Sequence, residues 1–176
     1  LALMSHRLDV DVWEGIDAAS TKPFGFMPFY PGPGLGGHCI PIDPYYLSWK
    51  ARQSGFESRF IELAGQINSS MPRFVVELVV AALSEQRKPL LDARVHLFGM
   101  AYKPSVGDVR ESPAIDIAHL LQRGGAVVSY SDPHVPRVRH AHLELEAVSC
   151  EVALEQGFDC GVITTGHPEF DYVAIA

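Results

Sequence analysis

Residues 94–133, RVHLFGMAYKPSVGDVRESPAIDIAHLLQRGGAVVSYSDP, contain the pattern that decides the fold. Short runs rich in Val and Leu predict strands. The segment that opens with Ser112 and Pro113 predicts a helix, because serine caps helices and proline suits the first helical position. The predicted order is strand 95–99, helix 112–124, strand 126–130, helix 151–157 and strand 159–165. This alternation predicts an α/β fold with parallel strands and right-handed crossovers.

Upstream of this pattern the sequence is helical. Helices are predicted at residues 1–8, at 12–20 with Asp11 as the N-cap, at 44–54 and at about 64–85. Pro72 lies inside the last helix and either kinks it or marks its start. The change of pattern near residue 88 predicts two domains, a helical region at 1–88 and an α/β domain at 89–176.

The glycine- and proline-rich segment 31–44, PGPGLGGHCIPIDP, presents Cys39 just ahead of a predicted helix. Asp43 is a suitable N-cap and Pro44 a suitable first helical residue, so Cys39 should lie near the positive end of the helix dipole. That position favours thiolate over thiol. A lone cysteine is more often a small buried apolar residue, but a polar loop is a poor place to bury one. The pattern therefore favours a nucleophile on a ligand-binding loop.

Two features imitate a dinucleotide-binding motif. Gly32, Gly34 and Gly37 match G-x-G-x-x-G, but no strand precedes them and no helix opens within them, as that motif requires. Asp132 follows a strand, as a ribose-binding acid would, but the glycine pattern that should come before it is absent. We interpret Asp132 as a turn residue before Pro133.

The connection 99–113 runs from the carboxyl end of a predicted parallel strand to the start of a helix. Ligands bind at this edge of α/β sheets, and a helix N-terminus attracts anions. Lys103 and Arg110 lie in the connection and would suit an anionic ligand. The alternative is that both cations form surface ion pairs with Asp108 and Glu111.

Composition limits the partners and the compartment. The chain has 176 residues, is 47% hydrophobic and carries a net charge of -7, which argues against a nucleic-acid surface. We find no signal peptide and no apolar run of membrane length, so no membrane partner is expected. The three cysteines form no C-x-x-C pair, and His140 and His142 lack further ligands, so neither a disulfide framework nor a metal site is predicted. A reducing cytoplasm fits best.

Two segments resemble a known family. GGHCIPIDP, residues 36–44, resembles the active-site cysteine segment of the UDP-glucose/GDP-mannose dehydrogenase family, and residues 99–113 resemble its second signature. Within that family, the sequence of the cysteine segment is most similar to that of the UDP-N-acetylhexosamine 6-dehydrogenases. The resemblance implies NAD-dependent oxidation of C6 to a uronic acid, through a cysteine thiohemiacetal and thioester and two hydride transfers. It also implies a helical central-domain remnant followed by a Rossmann-like parallel-sheet domain that binds the UDP-sugar.

The resemblance assigns roles to individual residues. Cys39 and Asp43 are the implied catalytic residues, and Arg110 is the implied contact to NAD. The implied substrate-binding residues are Lys22, Tyr30, Gly34, Leu35, Gly36, Gly37, Tyr102 and Lys103. In the family a basic residue near the position of Lys22 reaches the neighbouring subunit's substrate, so a homodimer is implied. The family's NAD-binding domain and its catalytic lysine and asparagine have no counterpart here, so we expect a partial protein that is inactive alone.

Three other interpretations stay open. The substrate could be UDP-glucose rather than an N-acetylhexosamine. The chain could be a non-catalytic nucleotide-binding module in which Cys39 is structural, and rapid alkylation of Cys39 at neutral pH would argue against that. A different cysteine enzyme, such as an aldehyde dehydrogenase-like acyl transferase, would need its own base and cofactor motif, and we find neither in the sequence.

Overall fold

The computed structural model describes residues 1–140 and 143–176, which divide into two compact units, Leu1–Gly32 and Pro33–Ala176. The helices are α1 (Ala2–Arg7), α2 (Val12–Ser20), α3 (Cys39–Gln53), α4 (Arg59–Glu85), α5 (Pro113–Arg123), α6 (Cys150–Gln156) and α7 (Tyr172–Ile175). The strands are β1 (Arg94–Phe98), β2 (Val127–Ser131), β3 (Arg137–His140), β4 (Leu143–Glu146) and β5 (Cys160–Ile163).

The unit Leu1–Gly32 is built on α1 and α2. The carboxylate of Asp11 accepts hydrogen bonds from the backbone N–H groups of Trp13 and Glu14, which confirms Asp11 as the N-cap of α2. Trp13 stacks on Tyr30 with ring centroids 5.3 Å apart. The Tyr30 hydroxyl also donates to Asp17 at 2.7 Å, so the chain after α2 is held back against that helix.

The unit Pro33–Ala176 contains a three-stranded parallel sheet in the order β2-β1-β5. In the register, Leu97 of β1 lies opposite Tyr130 of β2 and Val162 of β5. Because β1 is the central strand, Val95 and Leu97 have no exposed surface. The predicted α/β fold with parallel strands is confirmed.

Two helices cover the sheet. Helix α5 begins at Pro113 with Ser112 as its N-cap, as predicted, and buries Ile117 and Leu121 completely. The C-terminal part of α4 contributes Leu83, also completely buried, to the same core. The side chains of this core therefore come from helices on both sides of the predicted boundary at residue 88, and the two-domain division at that point stays a prediction.

Helix α4 is longer than the sequence pattern suggested. It begins at Arg59 instead of near residue 64 and continues through Pro72, which lies inside the helix and is buried. Proline costs a helix one N–H donor, here the bond to the carbonyl of Asn68. Tertiary packing along a 27-residue helix offsets that loss, so Pro72 does not mark the start of the helix.

By length and composition alone, α4 is also the one helix of the described residues that could cross a membrane. The sequence analysis stated that no apolar run reaches membrane length, and by this criterion that statement was wrong. Core helices meet the same test, and Val79 and Leu83 in the second half of α4 pack in the sheet's core, but most of the apolar window is not buried.

The sequence patterns did not predict a small hairpin after β2. Strands β3 and β4 pair antiparallel, with Val138 and Leu143 buried and Arg139 bonded to Glu144 at 2.8 Å. His140 ends β3 on the exposed side, consistent with the surface interpretation, and His142 lies outside the described residues. Helix α7, capped by Asp171, was not predicted either.

Candidate active site

Helix α3 begins at Cys39, five residues earlier than the predicted start at Pro44. His38 is the N-cap residue, and Pro44 lies inside the helix, so the assignment of Asp43 as the N-cap was wrong. Proline is tolerated in the first turn because the N–H groups there have no helical partner in any case, and Pro41 is the third residue of α3. The first turn of α3 therefore contains the cysteine.

Cys39 is an exposed, unpaired thiol at the first position of this 15-residue helix. The N–H groups of a first helical turn have no helical partners, and the helix dipole is positive at that end. Asp43 lies four residues further on and is also exposed. Residues four apart share one face of a helix, so the thiol and the carboxylate are neighbours on α3.

The glycines before Cys39 dock onto the loop that follows β1. A Cβ on Gly36 would lie 2.6 Å from Cβ of Tyr102 and 2.7 Å from the carbonyl oxygen of Glu111. Gly37 has φ +83° and donates its N–H to the carbonyl of Arg110 at 3.1 Å. Only residues without side chains fit this approach. The structure thus brings the two segments that the sequence singled out into direct contact.

Asp132 anchors the start of the loop 99–113, which follows β1. Its Oδ2 accepts hydrogen bonds from the N–H groups of Met100 at 2.7 Å and Ala101 at 3.0 Å, directly after β1. Its Oδ1 accepts from the N–H groups of His134 and Val135, which makes the predicted turn. Burial raises the pKa of this carboxyl, but the backbone hydrogen bonds outweigh burial and the net pKa is lowered. The sequence indicated the turn but not the anchoring of the loop.

The two cations of the loop are in different situations. Arg110 forms a two-pronged pair with Asp108, with Nε to Oδ1 at 2.9 Å, and this pair lowers the pKa of Asp108 to about 2. Lys103 is exposed, lies 5.4 Å from the ring centroid of Tyr102, and has no carboxylate partner within residues 1–140 and 143–176. The surface-pair alternative therefore describes Arg110 but not Lys103.

A cleft of about 600 Å³ opens where four parts of the chain meet: the glycine-rich segment 33–38 before Cys39 (the cysteine loop), α3, α4 and the start of α5. Its walls are mostly apolar, with a few polar groups. They include Gly34, Leu35, Ile40, Asn68, Glu111 and Pro113. A cleft with this lining suits a ligand that combines apolar and hydrogen-bonding surface.

Lys22 and Tyr30 belong to the unit Leu1–Gly32. Lys22 is exposed, whereas Tyr30 is stacked on Trp13 and bonded to Asp17, and that bond raises the pKa of the Tyr30 hydroxyl. Their predicted contacts to substrate stay predictions.

One group of side chains has the spacing of a metal site. The ligand atoms of His134, His167 and Glu169 lie within 4.8 Å of one another. Both ring nitrogens of His167 are already hydrogen-bonded, to Asp132 and to the backbone N–H of Ser105. The group therefore does not offer three free ligand atoms.

Comparison with known proteins bears on both units. The family model described as "UDP-glucose/GDP-mannose dehydrogenase family, central domain" matches residues 1–70, and the model for the UDP binding domain of the same family matches residues 96–176. The chain belongs to the UDP-glucose/GDP-mannose dehydrogenase family. The resemblance of the cysteine segment and of the 99–113 loop is therefore confirmed at the level of the family.

Individual members of the UDP-glucose/GDP-mannose dehydrogenase family match over almost the whole chain. UDP-N-acetyl-D-mannosamine dehydrogenase of Pyrococcus horikoshii is 36% identical over 98% of this chain and 38% of the relative. UDP-N-acetyl-D-glucosamine 6-dehydrogenase of Pseudomonas aeruginosa is 33% identical over 97% of this chain and 40% of the relative. The chain thus spans about two fifths of the length of the curated relatives it matches.

Solved structures agree with the fold. The P. horikoshii UDP-D-ManNAc dehydrogenase superimposes with a TM-score of 0.81 at 33% identity, covering 99% of this chain and 39% of that chain. A UDP-glucose dehydrogenase from Pyrobaculum islandicum gives a TM-score of 0.77 at 29% identity, covering 94% and 39%. The Rossmann-like parallel-sheet architecture predicted for the second half is confirmed.

We expect Gly36→Ala to destabilise the unit Pro33–Ala176 by about 1–3 kcal/mol, because the new methyl group would overlap Tyr102 and the carbonyl of Glu111. Urea unfolding followed by circular dichroism measures this effect. The control is Gly15→Ala in α2, where a Cβ meets no atom within 4 Å and alanine favours the helix. Equal stability of the Gly36→Ala chain and the unchanged chain would show that the two loops are not in contact.

Proposed function

We propose that this chain supplies the cysteine and the UDP-sugar-binding part of an NAD-dependent UDP-N-acetylhexosamine 6-dehydrogenase. The observation that carries the proposal is the direct docking of the Cys39 loop on the loop of Lys103, through Gly36 and Tyr102. A nucleophile beside a cation-bearing loop suits a ligand with a reactive sugar end and an anionic diphosphate. Relatives with names of this class match both halves of the chain.

Cys39 is proposed to act as the nucleophile. Its sulfur adds to the C6 aldehyde carbon to form a thiohemiacetal, and after the second oxidation the same sulfur holds a thioester. Water then hydrolyses the thioester, which releases the carboxylate and returns the thiol. Asp43, one turn along α3, is proposed to accept a proton from the attacking water.

The chain's own contribution to cofactor binding is proposed to be small. NAD, when bound, accepts the two hydrides. Of the described residues, Arg110 is the proposed contact to its pyrophosphate, and the ion pair with Asp108 holds the guanidinium ready in one orientation. The glycines at 34 and 37 cannot serve as a dinucleotide loop, because a Cβ there would meet Pro113 and Tyr102 and neither glycine follows a strand. Since the relatives are about two and a half times longer, we propose that a separate domain binds the rest of NAD and that this chain alone is inactive.

Recognition of UDP is proposed to depend on the loop 99–113. Lys103 is exposed, has no carboxylate partner in the described chain, and lies in the loop 99–113 that leads into helix α5. A cation in a loop that leads into a helix N-terminus suits the diphosphate of a nucleotide-sugar. Tyr102, Gly34, Leu35, Gly36 and Gly37 are proposed to line the path from the diphosphate to C6.

The N-acetylhexosamine is proposed as the sugar because the aromatic residues of segment 24–34 would suit apolar contact with an acetamido group. The relatives with N-acetylhexosamine names support this choice. UDP-glucose is the second candidate, and the likeness to the P. islandicum UDP-glucose dehydrogenase supports it.

The whole enzyme is proposed to be a cytoplasmic homodimer. Helices α3 and α4 expose several large apolar side chains, namely Ile40, Tyr46, Leu47, Trp49, Phe60 and Leu63. An apolar surface of this kind marks an interface, and a second copy is the proposed partner, to whose substrate Lys22 would contribute. The three free cysteines suit a reducing compartment.

In the whole enzyme, Cys39→Ser should lower the rate of uronic acid formation by at least a hundredfold and change UDP-sugar affinity less than threefold. The hydroxyl is nearly isosteric but a much poorer nucleophile. Steady-state kinetics with UDP-N-acetylglucosamine, UDP-N-acetylmannosamine and UDP-glucose measures both the rate and the preferred sugar. Cys160→Ser, on β5 outside the loop, is the matched control and should retain activity.

Two results would contradict this assignment. Full turnover in the Cys39→Ser enzyme would exclude the thiol from the mechanism. A higher kcat/KM for UDP-glucose than for both N-acetylhexosamines would replace the proposed sugar and leave the cysteine chemistry in place.

The substitution Lys103→Ala should weaken UDP binding by about 1.5–3 kcal/mol, because it removes a charge-assisted contact, whereas Arg110→Ala should weaken NAD binding and leave UDP binding nearly unchanged. Calorimetric titration of each variant of the whole enzyme with UDP and with NAD separates the two effects. Lys50→Ala, on the exposed side of α3, is the control for loss of a surface lysine. Unchanged affinities for both ligands in both variants would return Lys103 and Arg110 to a surface role.

The change Trp49→Asp should convert the proposed dimer into a monomer, because it places a charge among the exposed apolar side chains of α3. Sedimentation velocity gives the mass of the particle. Leu91→Asp is the control, since Leu91 is 62% exposed but lies outside α3 and α4. A monomeric unchanged protein would refute the dimer.

A further inference from the structure

His167 is completely buried at the carboxyl edge of the sheet, a few residues after β5. Its Nε2 lies 3.0 Å from Oδ2 of Asp132, the carboxylate that also holds the base of the loop. Its Nδ1 lies 3.2 Å from the backbone nitrogen of Ser105, two residues after Lys103. The imidazole therefore connects the anchoring carboxylate to the part of the loop that carries the free cation.

These contacts determine the tautomer of His167. The Ser105 nitrogen can only donate, so Nδ1 must accept through its lone pair and the ring proton must lie on Nε2. The Nε2–H group then donates to Asp132. A buried ring with one donor and one acceptor, both satisfied, is fixed in orientation and cannot rotate without losing a hydrogen bond.

The hydrogen bond to His167 acts on a disfavoured backbone conformation. Ser105 has φ +61°, the left-handed region that residues with a Cβ rarely adopt. Ser105 is exposed, so burial of its side chain does not hold it there. The start of the same loop is held by a different contact, because Thr165 donates its hydroxyl to the carbonyl of Ala101 at 2.6 Å. The bond from Ser105 N–H to Nδ1 is thus a contact that stabilises the turn itself.

We infer that His167 is a positioning residue for the UDP-binding loop: it holds Ser105 in the left-handed turn that directs Lys103 toward the ligand. The effect of His167 on UDP binding rests on the proposed function, because Lys103 is the proposed contact to UDP. The geometric part, a neutral imidazole that accepts from Ser105 and donates to Asp132, is independent of any ligand.

The geometric part is tested by NMR on the ¹⁵N-labelled 176-residue chain without ligand. A scalar coupling across the hydrogen bond should connect the Ser105 nitrogen to Nδ1 of His167, and the proton of the ring should be found on Nε2. A ring proton on Nδ1, or an amide of Ser105 that exchanges with solvent as fast as its exposed neighbours, would overturn the inference.

The link to binding is tested by a double-mutant cycle with UDP as the titrant. His167→Leu should weaken the Kd for UDP about tenfold, the usual effect of losing one hydrogen bond, and His167→Gln, which keeps a donor and an acceptor, should recover most of it. Glycine adopts a positive φ freely, so Ser105→Gly alone should leave the Kd within about twofold. In the Ser105→Gly background, the loss caused by His167→Leu should fall to about threefold or less.

A general loss of stability would lower UDP affinity equally in both backgrounds, and that result would overturn the positioning role. Should His167→Leu fail to fold, the NMR of the unchanged chain keeps the positioning role testable, because absence of the scalar coupling between Ser105 and His167 would overturn it. If the unchanged chain shows the scalar coupling but does not bind UDP, the proposed function fails while the geometry of His167 stands.

Discussion

The buried carboxylate of Asp132 is the constraint on which the ligand edge of the sheet depends. It receives four backbone N–H groups, two from the end of β1 and two from the turn after β2, together with the imidazole of His167. A buried charge is tolerated only when it is compensated in this way. Once Asp132 is compensated, the exits of three parallel strands have fixed positions, and the loop after β1 has a fixed starting point.

The cysteine loop depends on this loop in turn. Gly36 and Gly37 lie against Tyr102 and the backbone of residues 110–111, so the start of α3 takes its position from a surface that Asp132 indirectly shapes. The reactive end and the anion-binding end of the proposed site are therefore parts of one packed arrangement within the unit Pro33–Ala176. A displacement of Tyr102 would therefore also displace the segment that carries Cys39.

Local sequence signals predicted what local interactions determine. The parallel sheet, the capped start of α5 at Ser112 and the Asp11 cap of α2 all follow from the residues within a few positions of each element. The start of α3 was placed five residues late, because Asp43 and Pro44 form a local helix-start signal inside a helix that in fact begins at Cys39. The anchoring role of Asp132 and the role of His167 could not be predicted, since Met100, Ala101 and Ser105 and the two side chains themselves are brought together only by the sheet. Histidine and aspartate after strands are the weak signal that was available.

The absent side chain at Gly36 has a consequence for recombination between related enzymes. The two family segments meet at residues 70–96, which is the natural place to join halves from different parents. Such a crossover would separate Gly36 from Tyr102, two residues whose surfaces must match to within a methyl group. In a chimera built at that junction, the residue at position 36 comes from one parent and the residue at position 102 from the other, and the two must still fit together. Parents that differ at either position must exchange both together.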